Sequence, residues 1–260
     1  TNSTEDEFVF AEKRGGRAAQ ATEAGFSFDL DGWTMRGALG EDQLAAQMEG
    51  YAIDLALAAT KPPVLHNEIG HVDFGPAGGS YYYSRTRMEV SGTLSVDGRP
   101  LEVTGEAWFD HQWGNFISVG AGGWDWFAVQ LTGGHDLTIS LIRDDAGQIV
   151  MAYGTLVNPT GDQRHLEASE FEVTATGTWT SPASGATWPS GWTIALPDED
   201  WSLTVTPSTA DQELRTTLST GVTYWEGEVL VDGAIDGEPV DGLGYVELTG
   251  YADGIDPPPR

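Results

Sequence analysis

His111 stands in the run LEVTGEAWFDHQW, residues 101–113, and its imidazole titrates near neutrality. The run alternates in polarity, as a β-strand does. A period of two puts Val103, Ala107, Phe109, His111 and Trp113 on one face. Glu102, Thr104, Glu106, Trp108, Asp110 and Gln112 take the other. The first face is the apolar one and is expected to point into a core or cavity. There His111 and Trp113 lie about 7 Å apart along the strand, from the rise per residue. Asp110 should point away unless a bulge intervenes, so Asp110-His111 is not a ready-made acid–base dyad. No nucleophile elbow accompanies it. Two readings of His111 stay open: a satisfied structural histidine, or a proton-transfer group on a cavity wall. Trp113 is likewise either core or site.

Other aromatic residues fit the same cavity wall. Trp124 and Trp126, in Gly-Trp-Asp-Trp-Phe, share a strand face. In Tyr81-Tyr82-Tyr83 either Tyr82 or the Tyr81/Tyr83 pair points inward. An aromatic-lined barrel suits a large apolar ligand, and ring faces stabilise cationic intermediates. An ordinary aromatic core has the same composition.

Composition bounds the chemistry. The 260 residues include no Cys, 40 Asp+Glu and only 12 Lys+Arg, for a net charge of −28. Disulfides, zinc–thiolate sites and a cysteine nucleophile are thereby excluded. An anionic surface disfavours nucleic acid and anionic membranes. No apolar run reaches the ~18 residues of a membrane span. The five His lack metal-ligand spacing, and Asp198-Glu199-Asp200 reads as a solvated loop. No metal and no cofactor are expected. Lys13 and Lys61 are the only lysines, a habit of salt-adapted proteins. A secreted or extracytoplasmic location is expected, with a high-salt source as one explanation of the acidic surface. The chain opens without Met or a signal peptide, as a processed chain or an excised piece would.

The elements that must position these residues are short strands. Alternating runs at 87–96, 101–113, 124–131, 137–143, 150–157, 171–179, 201–207 and 224–231 read as strands, with earlier ones at 26–30, 33–39, 44–49 and 51–57. Asp97-Gly98, Gly133-Gly134, Asp145-Ala146-Gly147, residues 158–161, Asp232-Gly233 and Asp236-Gly237 read as turns. Stretches 60–79 and 181–191 are rich in Pro and Gly. The expected class is all-β, with twelve to fifteen strands in barrels or sandwiches. A boundary between two β units is expected near residues 119–123, where Gly120, Gly122 and Gly123 cluster.

Gly105-Glu-Ala-Trp108-Phe-Asp110-His111-Gln-Trp113-Gly114 resembles the G-x-A-W-x-D-H-x-W signature of the AttH-like and carotenoid 1,2-hydratase family. Four further segments fit in the same order: Ser80-Tyr-Tyr-Tyr83-Ser, Gly123-Trp-Asp-Trp126-Phe, Tyr224-Trp-Glu-Gly227 and Gly244-Tyr-Val-Glu-Leu-Thr-Gly-Tyr251. The resemblance implies two consecutive lipocalin-like antiparallel β-barrels. Residues 1–120 would be the remainder of the first, 121–256 the second and 257–260 a tail. Family chains begin with further strands and a Trp-Trp motif, so the first barrel is expected to be incomplete. The family includes carotenoid and isoflavonoid hydratases and fungal cyclases acting on polyene chains. Carotenoid hydratases carry a Tyr-x-Asp pair in the strand after His-x-Trp. Thr138-Ile139-Ser140 falls there, and neither outer residue can be that acid.

The resemblance implies an enzyme acting on a hydrophobic unsaturated substrate (terpenoid, polyene or polyketide) in a barrel cavity. The reaction would be hydration or dehydration, isomerisation or cyclisation. Alkene hydration needs a carboxylic acid whose pKa is raised by burial. Glu226 and Glu247, in apolar strand motifs, are the candidates; the alternative is a structural carboxylate paired with Arg143 or Arg85. The expected catalytic set is His111, Asp110 and Glu247. The expected substrate contacts are Trp113, Trp108, Tyr82, Trp124, Trp126 and Trp225. The competing reading is a non-catalytic carrier of an apolar ligand.

Overall fold

The computed structural model describes residues 1–15, 20–22, 25–75, 78–115 and 122–252. Its strands run in chain order β1 (Gln20–Thr22), β2 (Gly25–Leu30), β3 (Trp33–Ala38), β4 (Glu41–Met48), β5 (Tyr51–Ala59), β6 (Val64–Leu65), β7 (His71–Asp73), β8 (Gly79–Val96), β9 (Arg99–Asn115), β10 (Trp124–Leu131) and β11 (Asp136–Arg143). They continue as β12 (Ile149–Val157), β13 (Gln163–Glu167), β14 (Glu172–Ala175), β15 (Thr178–Thr180), β16 (Thr187–Pro189), β17 (Trp192–Leu196), β18 (Trp201–Pro207), β19 (Glu213–Arg215), β20 (Thr223–Ile235) and β21 (Glu238–Leu248). The fold is all-β and antiparallel, as alternation predicts. No helix among the described residues is long and apolar enough to cross a membrane.

The chain forms two compact units. One comprises Phe10–Pro63 and Ser84–Asp110. Its strands follow the order β1-β2-β3-β4-β5-β8, with β9 also on β8. Asp31-Gly32 and Asp97-Gly98 close two-residue turns with positive φ at both positions. Such turns match the right-handed twist of the flanking strands. Within this unit Asp42 and Arg85 form a buried ion pair at 2.5 Å. The Arg85 guanidinium lies 5.2 Å from the centroid of Phe109, whose ring stacks on Phe26 at 6.3 Å.

The other unit comprises Thr1–Val9, Val64–Tyr83 and His111–Arg260. Its main sheet runs β13-β12-β11-β10-β21-β20-β18-β17-β14, with β19 on β20. One face of this sheet is filled with apolar side chains. Phe127, Val129, Ile139, Val229, Val246 and Leu248 join Trp188, Trp192 and Trp225 in a single cluster. Each buried indole removes roughly 150–250 Å² from water, so these three anchor the core. Arg143 stitches one end of the unit. Its guanidinium donates to Asp125, to Tyr251 Oη and to the Thr249 carbonyl, and it lies 4.1 Å from the Tyr251 ring centroid.

Some local expectations are corrected. Asp232-Gly233 is not a turn but the interior of β20, where Gly233 pairs with Leu203. A Cβ on Gly233 would lie 2.1 Å from the Ser202 carbonyl oxygen, so the glycine serves close strand approach. Residues 171–179 divide between β14 and β15. The expected boundary at 120/121 and the tail at 257–260 lie outside the described residues.

Candidate functional site

The second face of the main sheet gathers titratable and aromatic side chains. Alternation places Tyr224, Glu226 and Glu228 of β20 opposite the core-facing Trp225, Gly227 and Val229. On β21 it places Leu243, Tyr245 and Glu247 there, and on β10 Trp124 and Trp126. The register then brings distant residues into one row. Glu226 stands directly across from Glu247, Glu247 from Trp126, Trp126 from Ser140, and Ser140 from Tyr153. Directly opposed side chains in such a row sit about 4.5–5.5 Å apart at Cβ.

Hydrogen bonds fix the aromatic members. Trp124 Nε1 donates to Glu247 Oε1 at 2.7 Å, and Trp126 Nε1 donates to Tyr82 Oη at 3.0 Å. The Tyr82 ring lies 4.0 Å from the His66 ring, and His66 Nδ1 is 3.1 Å from Thr155 Oγ1. Val72, Tyr82, Ile142 and Tyr153 form a second apolar cluster, with Phe74, Trp124 and Met151 against it.

The titratable groups here depart from their ordinary values. Burial, and then the Glu247 carboxylate, push Glu226 up to about 7. Burial raises the Tyr224 phenol, and the charges of Glu247 and Glu226 add to the rise. Burial drives His66 down to about 3, with His165 adding to the shift, so its imidazole is neutral. The cations expected as partners for the two glutamates are engaged elsewhere: Arg143 with Asp125 and Arg85 with Asp42.

The other expected site residues fall in different places. His111 and Trp113 lie together, ring centroids 4.5 Å apart, with Tyr83 5.5 Å from His111 and Tyr81 stacked on Trp113 at 5.5 Å. Both residues are exposed rather than sunk in a core, so the apolar alternation of their strand does not bury them. Partial burial still lowers the basicity of His111. Asp110 and Trp108 belong to the other unit, where the Asp110 carboxylate accepts from Trp108 Nε1 at 2.8 Å and from Ser84 Oγ. Trp225 is wholly buried in the core, its Nε1 donating to the Ala210 carbonyl at 2.9 Å. Strand parity therefore removes Trp225 from the face that Glu226 occupies. Of the three consecutive tyrosines it is Tyr82 that points inward, at 5% exposure against 53% for Tyr81. Thr138 and Ser140 are buried on the same face as Trp126. Glu226 stood outside the expected catalytic set; the signal that finds it is the register that sets it against Glu247.

An all-β lipocalin-like chain with this aromatic face falls within a known class. The AttH-like family model matches residues 1–251, and the chain belongs to that family. A solved candidate AttH from Nitrosomonas europaea is 30% identical, with a TM-score of 0.79, covering 90% of this chain and 72% of that one. Kievitone hydratase from Nectria haematococca shares the fold at 20% identity and TM-score 0.72, covering 86% of this chain and 70% of its own. CghA, solved with Sch210972, shares it at 15% identity and TM-score 0.56, covering 91% and 70% respectively. No curated protein matches.

Proposed function

We propose that the chain is an enzyme that moves protons on a hydrophobic unsaturated small molecule, a terpenoid, polyene or polyketide. The reaction classes are hydration or dehydration, isomerisation and cyclisation. One observation carries the reading. The His111 imidazole, whose basicity partial burial lowers, stands against the rings of Tyr83 and Trp113. A neutral imidazole accepts a proton, and the rings that flank it stabilise a cationic intermediate. That a protein of the same fold is a hydratase supports the reaction class. The core face of the main sheet is filled by Trp188, Trp192 and Trp225, so the substrate is assigned to aromatic surfaces outside that core.

His111 is the proton acceptor in this reading, and Trp113, Trp126 and Tyr82 shape the pocket. The acidic composition fits work outside the cytoplasm or in high salt. The test begins with solvent extraction of the purified protein and mass spectrometry of any apolar molecule it carries. Incubation with an acyclic polyene then follows product formation. Wild-type protein should add or remove water, isomerise or cyclise the probe. His111→Ala should lose turnover while its thermal melt stays in place. Bound lipid that emerges chemically unchanged after long incubation would identify a carrier instead.

A further inference from the structure

We propose that Glu226 and Glu247 form a carboxylate pair holding one proton between them, and that Glu226 delivers that proton to the double bond of the substrate. The proposal rests on the enzymatic reading above and supplies its acid.

Geometry carries it. The two residues are directly opposed on β20 and β21, which sets their Cβ atoms about 4.5–5.5 Å apart. Two carboxylates that close and largely withdrawn from water cannot both ionise without strong repulsion. The surroundings then decide which one keeps the proton. Trp124 Nε1 donates to Glu247 Oε1 at 2.7 Å, which favours the ionised form of Glu247. Among the described residues no donor reaches the Glu226 carboxylate.

Among the described residues, no cation stands beside the pair on β20 or β21. Glu226 has Tyr224 and Glu228 beside it on its own strand, and Glu247 and Tyr245 on β21. On β19 it is Leu214 that stands across from Tyr224, while Glu213 and Arg215 stand across from Trp225 and Thr223, which face the other way. Burial and the charge of Glu247 agree in pushing Glu226 up to about 7. Such a group is protonated in a useful fraction of molecules at neutral pH.

The pair also has an apolar approach. Leu230 and Leu243 are directly opposed on the same face, and both are exposed. Tyr245 continues the strip to Glu247, and Trp124 lies 6.4 Å from Tyr224 at ring centroids. A hydrocarbon chain can lie along the leucines with one double bond over the acid.

The step balances. The π electrons of the alkene take the proton of Glu226 and form a C–H bond, leaving a carbocation on the neighbouring carbon and a carboxylate on Glu226. Water adds its oxygen lone pair to the cation and forms the C–O bond. The proton lost from that oxonium passes to His111, the acceptor of the enzymatic reading, and exchange with water returns a proton to the pair, so alkene and water become an alcohol. The rings of Trp124, Tyr224 and Tyr245 face the transient cation.

Infrared difference titration of the full chain tests the pair without any substrate. Wild type should show one protonated carboxyl band that persists to near pH 7. Glu226→Gln should remove it, and Glu247→Gln should move its loss to lower pH. No carboxyl titrating near neutrality, or a band that survives in Glu226→Gln, overturns the pair. Delivery is tested by turnover of an acyclic polyene in detergent micelles. Glu226→Gln should lose about 100-fold or more in kcat, the scale of general-acid catalysis, while its fold is intact by circular dichroism. Unchanged kcat in that variant overturns delivery by Glu226. A wild type that leaves the polyene untouched overturns the enzymatic reading, and the titration still decides the pair on its own.

Discussion

The side-chain amide of Gln212 hydrogen-bonds the backbone of Glu228 in both directions. Nε2 donates to the Glu228 carbonyl at 2.9 Å and Oε1 accepts from the Glu228 N–H at 2.9 Å. One buried side chain thus does for β20 what a neighbouring strand does elsewhere. The space for it exists because residue 227 is glycine: a Cβ there would lie 2.0 Å from Gln212 Cδ. In Gln212→Ala the Glu228 carbonyl keeps Ser208, but its N–H loses its partner. An unpaired group of this kind costs about 1–3 kcal/mol. Urea denaturation should show a loss of that size in Gln212→Ala. Gly227→Ala should be at least as damaging, because Gln212 must leave.

Glu226 makes stability fall with rising pH. Its folded value, about 7, lies above the ordinary 4.5. Between those limits the folded state holds a proton that the unfolded chain has released. Stability is therefore fully present below about 4.5 and is lost as pH rises through 7. The full shift corresponds to about 3 kcal/mol. Glu226→Gln should flatten that part of the stability–pH curve and be more stable than wild type at pH 8. Denaturation midpoints at pH 5 and pH 8 check it.

His66 acts with the opposite sign. Its folded value of about 3 lies below the ordinary 6.5. The unfolded chain binds a proton between those limits and the folded chain does not. Stability is thus present above about 6.5 and declines as pH falls toward 3, by several kcal/mol over the whole range. His66→Gln should show a shallower acid limb, though it starts lower at pH 7 because the contacts with Thr155 and Tyr82 are weakened. Urea midpoints measured from pH 4 to pH 7 give the slope.

Arg143→Met should be strongly destabilising. Asp125 and Arg143 are both buried. Removing the guanidinium leaves Asp125 with Tyr251 Oη, at 2.9 Å, in place of a full countercharge. Breaking one side of a buried ion pair costs about 3–5 kcal/mol. Adding Asp125→Asn to Arg143→Met should recover part of that loss, and thermal melts of the two variants measure how much.

Much of this architecture was legible in the residues. Residues 124–131 and 201–207 coincide with β10 and β18, because alternation and flanking turn chemistry act locally. Asp97-Gly98 marks a tight turn for the same reason. Asp232-Gly233 misleads because the same dipeptide also suits a strand that another backbone approaches closely. The short pairings of β6 and β7 with β8 lie in a stretch rich in Pro and Gly, where no alternation announces them. Parity alone separates Trp225 from Glu226. The opposition of Glu226 and Glu247 required the register of two strands joined by the Asp236-Gly237 turn, counted back through ten paired positions. The choice of Tyr82 over Tyr81 and Tyr83 depended on the cluster with Val72 and Ile142, which sequence spacing does not reveal.

Strand parity in β20 and β21 has a consequence for how such proteins diversify. Every second residue, among them Trp225, Val229, Val246 and Leu248, answers to the indole-filled core. The residues between them, among them Tyr224, Glu226, Tyr245 and Glu247, do not enter that cluster. Mutational drift can therefore rewrite one register of the alphabet while the other stays fixed, so new reactivity arises without a new scaffold.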